Sequence, residues 1–294
     1  MKRRLILDRI FKLLLAVVAW LSVLTLVGIF LMLLFNSLRA FGYISPSAFF
    51  FGAEWNPAAY VQPSYGIGAM LVSTLLVTSG AMAIAIPISI GTAAFLSEMA
   101  SPRLRNILKP AIEMLAAVPS VVVGFLGIVF VGPWLSAIFH TPNGMNALNG
   151  SILLAVMALP TLISVMEDAI HAVPPQYKEA SYALGANRWE TLLRVTLPSC
   201  TSGLLVAIML GMGRALGETM TVLMATGNMT AMPHGMFDSV RTITATVAIE
   251  MGEVPFGTPH FYGLFACALV LFLITFLVNL TAEGMATRFR LKGR

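Results

Sequence analysis

From Leu13 to Leu38 the chain runs for 26 residues without a charged side chain. About 20 apolar residues suffice for a helix to cross the hydrocarbon of a bilayer, where only helices and closed barrels satisfy their own backbone groups. The run follows a basic head of Lys2, Arg3, Arg4, Arg9 and Lys12, as a secretory signal would. It is longer than the roughly 7–15 apolar residues of a signal and lacks a convincing small-x-small cleavage site, so it reads as an uncleaved first span, about Leu13 to Phe35. Only 11% of all residues are charged, against about 25% in soluble domains. A soluble globular protein is excluded.

Five further apolar stretches give an all-α membrane protein of six transmembrane helices. The second span lies within Ile67 to Leu96, with Pro87 tolerated inside it, and the third covers about Pro110 to Val131. The fourth covers Ser151 to Met166, the fifth Thr201 to Thr226 and the sixth Phe261 to Ala282. Between the third and fourth lies a Pro/Gly/Asn loop, 132–150. Lys109 and Glu113, four apart at the start of the third span, are placed to pair. Thr242 to Met251 is helix-compatible but too short to cross, which suits a surface or re-entrant helix. The chain divides into an N-terminal helix and outer loop (1–64), a transmembrane domain (65–290) with a charged loop at 167–198, and a short tail (291–294).

Fifteen of the eighteen Lys and Arg fall at the two termini and in the 97–109 and 167–198 segments, while Arg39 and Arg241 alone fall in the opposite loops. By the positive-inside rule, both termini and the charged loop face the cytoplasm. The basic balance is therefore a signature of topology, and it gives no reason to expect nucleic acid.

The charged loop carries its own structural instructions. Pro174 and Pro175 suit a helix entry, Tyr177 to Leu184 has good helix propensity, and Gly185 closes that helix. Asn187, with Glu190 three residues later, reads as the capping box of a second short helix that Pro198 stops and redirects into the membrane. Tyr177, Leu184 and Trp189 offer apolar anchors ringed by Lys178, Glu179, Arg188 and Arg194, a mixture suited to a protein interface. Glu179-Ala180-Ser181, Gly185 and Val195-Thr196-Leu197-Pro198 stand at the spacing of the EAA loop, and the segment resembles that loop of ATP-binding-cassette (ABC) importer permeases. Ser181 and Val195 are mild departures. The resemblance implies that Glu179, Ala180, Gly185, Leu197 and Pro198 form a coupling element seated on a separate cytosolic ATPase.

Arg214 and Glu218, in GRALGETM, lie about 20 and 25 Å along the fifth helix from Thr201. Four apart, they face the same way and can neutralise each other. They form either a packing ion pair or, with hydroxyls such as Thr219, Thr221 and Thr226, the lining of a path on which the guanidinium attracts an oxyanion. Gly211, Gly213 and Gly217 thin the surface beside them. GRALGETM, EMLAAVPSVVVG at 113–124 and the EAA loop together are similar to phosphate-specific ABC importer permeases of the C type. That similarity, over about 65–290, implies an A-type second permease, two cytosolic ATP-binding subunits and an extracytoplasmic phosphate-binding protein, all within membrane lipid.

No lysine stands in a Gly-Lys-Ser/Thr context, so ATP and Mg belong to the partner and this chain has no cofactor or catalysis of its own. His140, His171, His234 and His260 form no metal-binding pattern, and Cys200 and Cys267 read as packing residues. Asp238, Arg241, Glu250 and Glu253 read as solvated outer-loop charges or as contacts for the binding protein. Two other functions fit the sequence, the same architecture importing molybdate or sulfate and an ion-coupled secondary transporter. An intramembrane enzyme has no nucleophile-base pair to work with.

Overall fold

In the computed structural model, residues 2–59 and 61–292 are described, with side chains at 11–59, 61–281, 283 and 284. Arg294 and the side chains of the other terminal Lys and Arg residues, apart from Lys12, lie outside the described residues. Among the described residues, five helices are long and apolar enough to cross a membrane: Phe11–Ala40, Gly68–Met99, Ser120–Phe139, Ala147–His171 and Pro259–Thr281. A sixth is obtained if the pair Arg188–Ser199 and Thr201–Gly217, bent by 72°, counts as one span.

The centre of the bundle is the packing of Gly68–Met99 on Ala147–His171, with Thr201–Gly217 against both. Val77, Ala81, Ala85, Leu154, Ala158, Leu162, Ala207 and Ala215 are buried where they meet. Small side chains let backbones approach, which matters in lipid because van der Waals contact rather than water exclusion holds helices together. Gly211 shows how close: a Cβ there would stand 2.7 Å from Leu162 Cδ2. Gly217, by contrast, faces open space, so the expectation of close packing holds only for part of that glycine set. Ser151 Oγ donates across to Val77 O at 3.1 Å as well as to Ala147 O in its own helix. The first helix, Lys2–Ala40, lies outside this core and packs mainly on the last, Pro259–Lys292, with Phe30 against Phe272.

The third span differs from expectation. It begins at Ser120, not Pro110, because Pro119 holds extended backbone (ψ 134°) and breaks the helix. The preceding helix, Pro102–Leu115, is amphipathic and has no buried residue. The 132–150 segment is likewise helical through Phe139. The fourth span runs past Met166 to His171, which carries Glu167 and Asp168 into the helix instead of the loop.

Glu167 explains that extension. Its carboxylate has no exposed surface and is held between Arg105 and Lys109, and Lys109 also bonds Asp168 at 2.8 Å. Lys109 therefore does not pair with Glu113, which accepts instead from Ser164 Oγ at 3.1 Å. Two cations around a buried carboxylate outcompete an exposed pair four residues apart, since an unpaired buried charge costs far more.

On the opposite side, Trp55–Asn56 pairs antiparallel with Ser64–Tyr65. Glu250 there accepts from Trp55 Nε1 at 2.9 Å and Arg241 Nη1 at 3.0 Å, and it contacts His260 Nε2 at 2.8 Å. Glu250 and Arg241 are thus bound parts of the fold, which corrects their reading as solvated. Asp238 accepts from the His234 and Gly235 N–H groups, which hold its carboxyl below the usual range. The helix Ile243–Glu250, capped by Thr242, matches the short segment expected there. Cys200 and Cys267 are buried free thiols.

Burial pulls the Lys109 ammonium down, but its bonds to Asp168 and Glu167 outweigh this and hold it above the ordinary 10.5. A pKa raised by folding stabilises fully below the unfolded value and is lost as pH rises through the folded one. Thermal unfolding of the detergent-purified protein should therefore lose more stability above about pH 10.5 than the Lys109→Met variant does. At neutral pH that variant should be less stable by about 1 kcal/mol, allowing for screening of the partly exposed head.

Candidate functional site

The segment after His171 forms the helical hairpin that its sequence specifies. Pro174 is the N-cap of Pro175–Ala183. That helix ends in a Schellman motif: Ala186 N–H donates to Ser181 O at 3.2 Å, Gly185 N–H donates to Tyr182 O at 3.0 Å, and Gly185 takes φ +87°. Asn187 and Glu190 exchange two 2.9 Å hydrogen bonds as a full capping box for Arg188–Thr191. Beyond Thr191 the helix widens into a π-turn, Leu192–Thr196. It then passes Pro198 by one residue and bends at Cys200. The redirection expected at Pro198 thus comes two residues later.

The two arms are tied by Ser181 and Thr191, whose buried hydroxyls lie 2.9 Å apart. In the sequence Ser181 stands as a mild departure from the EAA pattern, and nothing there singles out Thr191. A hydroxyl at each of two facing arm positions was the available signal.

Glu179, Ala180 and Gly185 are exposed on the projecting part, while Leu197 packs on the core at its base and Pro198 is exposed beside it. Leu184 is 90% exposed and Trp189 61%, so the hairpin ends in uncovered apolar surface. Between the arms lies a hollow of ≈ 550 Å³ lined by Tyr177, Ala180, Leu184, Gly185, Glu190 and Arg194 among others. Lys178 does not join this rim. Its side chain turns inward to Glu98.

The Arg214–Glu218 pair does not form. The helix ends at Gly217, and Glu218 (ψ 131°) is already extended, so the two no longer share a helical face. Glu218 Oε1 accepts instead from Thr221 N–H at 3.3 Å. Arg214 donates to Thr161 Oγ1 at 3.2 Å, its one hydrogen-bond partner among the described residues. Thr219 bonds Gly217 O locally. Thr221 is buried and donates to Ser120 O, and Thr226 bonds its own helix, so neither is a free donor for a ligand. A half-buried guanidinium with a single neutral partner retains donors for an anion. Among the described residues, no group of three or more His, Cys, Asp or Glu is placed to hold a metal ion.

Comparison with known proteins yields concordant results. Residues 83–291 match the family described as "Binding-protein-dependent transport system inner membrane component". The "Probable ABC transporter permease protein YqgH" of Bacillus subtilis is 36% identical over 245 residues, covering 83% of this chain and 79% of that one. The "Phosphate transport system permease protein PstC" of Haemophilus influenzae is 35% identical over 274 residues, covering 87% and 84%, and that of Xylella fastidiosa is 33% identical, covering 97% and 92%. In fold, the chain is similar to an inward-facing MetNI methionine ABC transporter, with TM-score 0.58 at 16% identity over 74% of this chain and 93% of that one.

An Asn187→Ala variant should lose the capping box and about 1 kcal/mol of local stability. Amide exchange at residues 188–191 should then speed up by about fivefold, while Pro175–Ala183, closed by its own motif, keeps its protection.

Proposed function

This chain belongs to the family of binding-protein-dependent transport system inner membrane components, and we propose that it forms half of the path of an ATP-driven importer of inorganic phosphate. It is a permease subunit of an ABC importer. The phosphate reading is supported by Arg214, a cation in a membrane helix that bonds a threonine and no carboxylate. An unneutralised charge at that depth costs a few kcal/mol, and a passing oxyanion supplies its partner transiently. The printed name of the Haemophilus and Xylella relatives is in accord with that anion.

In this reading both termini and the hairpin face the cytoplasm, as the Lys and Arg distribution argues. The exposed Leu184 and Trp189 sit in a groove of a cytosolic ATPase, present as two copies, which binds ATP and Mg. An A-type permease supplies the other half of the path, and an extracytoplasmic phosphate-binding protein delivers the substrate. Nucleotide-driven closure moves the hairpin, and the hairpin moves the helix that carries Arg214, with Glu218 and Thr219 at the break beyond it. Glu179, Ala180, Gly185, Leu197 and Pro198 are the coupling residues.

The test is uptake of labelled phosphate, molybdate and sulfate into vesicles holding the reconstituted complex, with and without ATP and the binding protein. ATP-dependent uptake of phosphate alone is expected. Uptake of another oxyanion would overturn the substrate, and uptake driven by an ion gradient without ATP would overturn the coupling. Arg214→Gln should assemble normally, because no carboxylate is left unpaired by its loss. Its phosphate uptake should fall about thirtyfold, the worth of one charge-assisted hydrogen bond of about 2 kcal/mol.

A further inference from the structure

Thr161, Ser164 and Asp168, three and four residues apart, lie along one side of the helix Ala147–His171. Each holds a charged group from another element. Thr161 Oγ1 accepts from Arg214 at 3.2 Å, Ser164 Oγ donates to Glu113 Oε1 at 3.1 Å, and Asp168 bonds Lys109 at 2.8 Å. The hosts of Arg214 and Glu113 thus stand about 5 Å apart along the helix axis, with Glu113 on the side of the hairpin.

Two opposite charges are therefore held one helical turn apart without pairing. Among the described residues Arg214 bonds no carboxylate, and Glu113 bonds no cation, because Lys109, one turn before it in Pro102–Leu115, is taken by Glu167 and Asp168. Helix direction makes the two charges unequal. Arg214 stands in the last turn of Thr201–Gly217 and Glu113 in the last turn of Pro102–Leu115, where the negative pole of the backbone favours a cation and opposes an anion. Arg214 is well placed where it is, whereas Glu113 is exposed and kept in place by one neutral hydroxyl. A hydroxyl holds a carboxylate less firmly than a guanidinium does.

We propose that Glu113 is the mobile counter-ion of Arg214, held on Ser164 while an oxyanion occupies the guanidinium and moving onto the guanidinium as the anion departs. This rests on the reading of Arg214 as the anion's partner. The carboxylate and the oxyanion compete for the same N–H donors, so the arrival of Glu113 releases the anion and leaves no bare charge within the membrane. Ser164 sets the balance by offering the carboxylate an alternative donor.

The test is binding of labelled inorganic phosphate to the purified complex without the binding protein, alongside ATP-dependent uptake in proteoliposomes with it. Glu113→Gln keeps an acceptor for Ser164 and loses the charge. It should bind phosphate about tenfold more tightly, the scale of one competing charge a helical turn away at a partly exposed position, and take it up more slowly. Ser164→Ala should act in the opposite sense, weakening phosphate binding about fivefold, because one hydrogen bond no longer holds the carboxylate back. Neither substitution should change phosphate binding in an Arg214→Gln background, measured at correspondingly higher phosphate. Damage to packing would weaken binding in both variants and gives no such opposition of sign. The proposal is overturned by binding that is unchanged or weaker in Glu113→Gln, by uptake that does not slow there, or by an effect of either substitution that persists without Arg214. An unaltered complex that transports phosphate yet binds none without the binding protein would also overturn it, since Arg214 would then have no anion to exchange. Should Glu113→Gln not assemble, Ser164→Ala carries the same test, and unchanged or tighter binding there is the contrary result. Failure of the phosphate reading itself looks different: ATP would then drive no phosphate uptake by the unaltered complex.

Discussion

Where Gly68–Ala94 meets Ala147–His171, alanine faces alanine and a serine hydroxyl reaches across to a backbone carbonyl. In a lipid environment no water is released from apolar side chains when helices meet, so closeness of approach decides which helices stay together. This seam fixes the frame for everything that acts. Thr161 is held on one of its members, Glu98 ends the other, and Glu167 closes it with two cations where the helices leave the apolar layer. The hairpin and the Arg214 helix are placed by attachment to that frame.

Two kinds of irregularity are built onto it. Three π-turns, at Phe95–Met99, Gly127–Val131 and Leu192–Thr196, interrupt otherwise α-helical segments among the described residues. Such turns recur at functional positions in helices. Two of them adjoin the hairpin, one in its second arm and one beneath its first. The third lies in the Ser120–Phe139 span, where Leu153 and Ala225 crowd Gly127. The other irregularity is the break at Glu218, which turns a membrane helix into extended backbone and spends its carboxylate on the N–H of Thr221.

The hairpin was legible almost residue by residue, because proline, glycine and capping residues act locally and their spacing is their geometry. The spans were legible as apolar runs, and their ends less so. Pro110 looked like a start and is an internal residue of an amphipathic helix, while Pro119 marks the true break. Charges were misread whenever their partner was distant. Lys109 left Glu113 for Glu167, Lys178 turned from the rim to Glu98, and Glu250 gathered Trp55, Arg241 and His260. Local spacing proposed Arg214 and Glu218 as a pair, and a single extended residue dissolved it. A one-dimensional pattern contains no record of which helix ends lie side by side.

The first helix has its main packing on the last, so the two ends of the chain complete each other. During synthesis the N-terminal helix enters the bilayer more than two hundred residues before its neighbour exists. The central seam, made of earlier elements, can close while translation continues, whereas the contact of the first helix with the last can form only once the last is made.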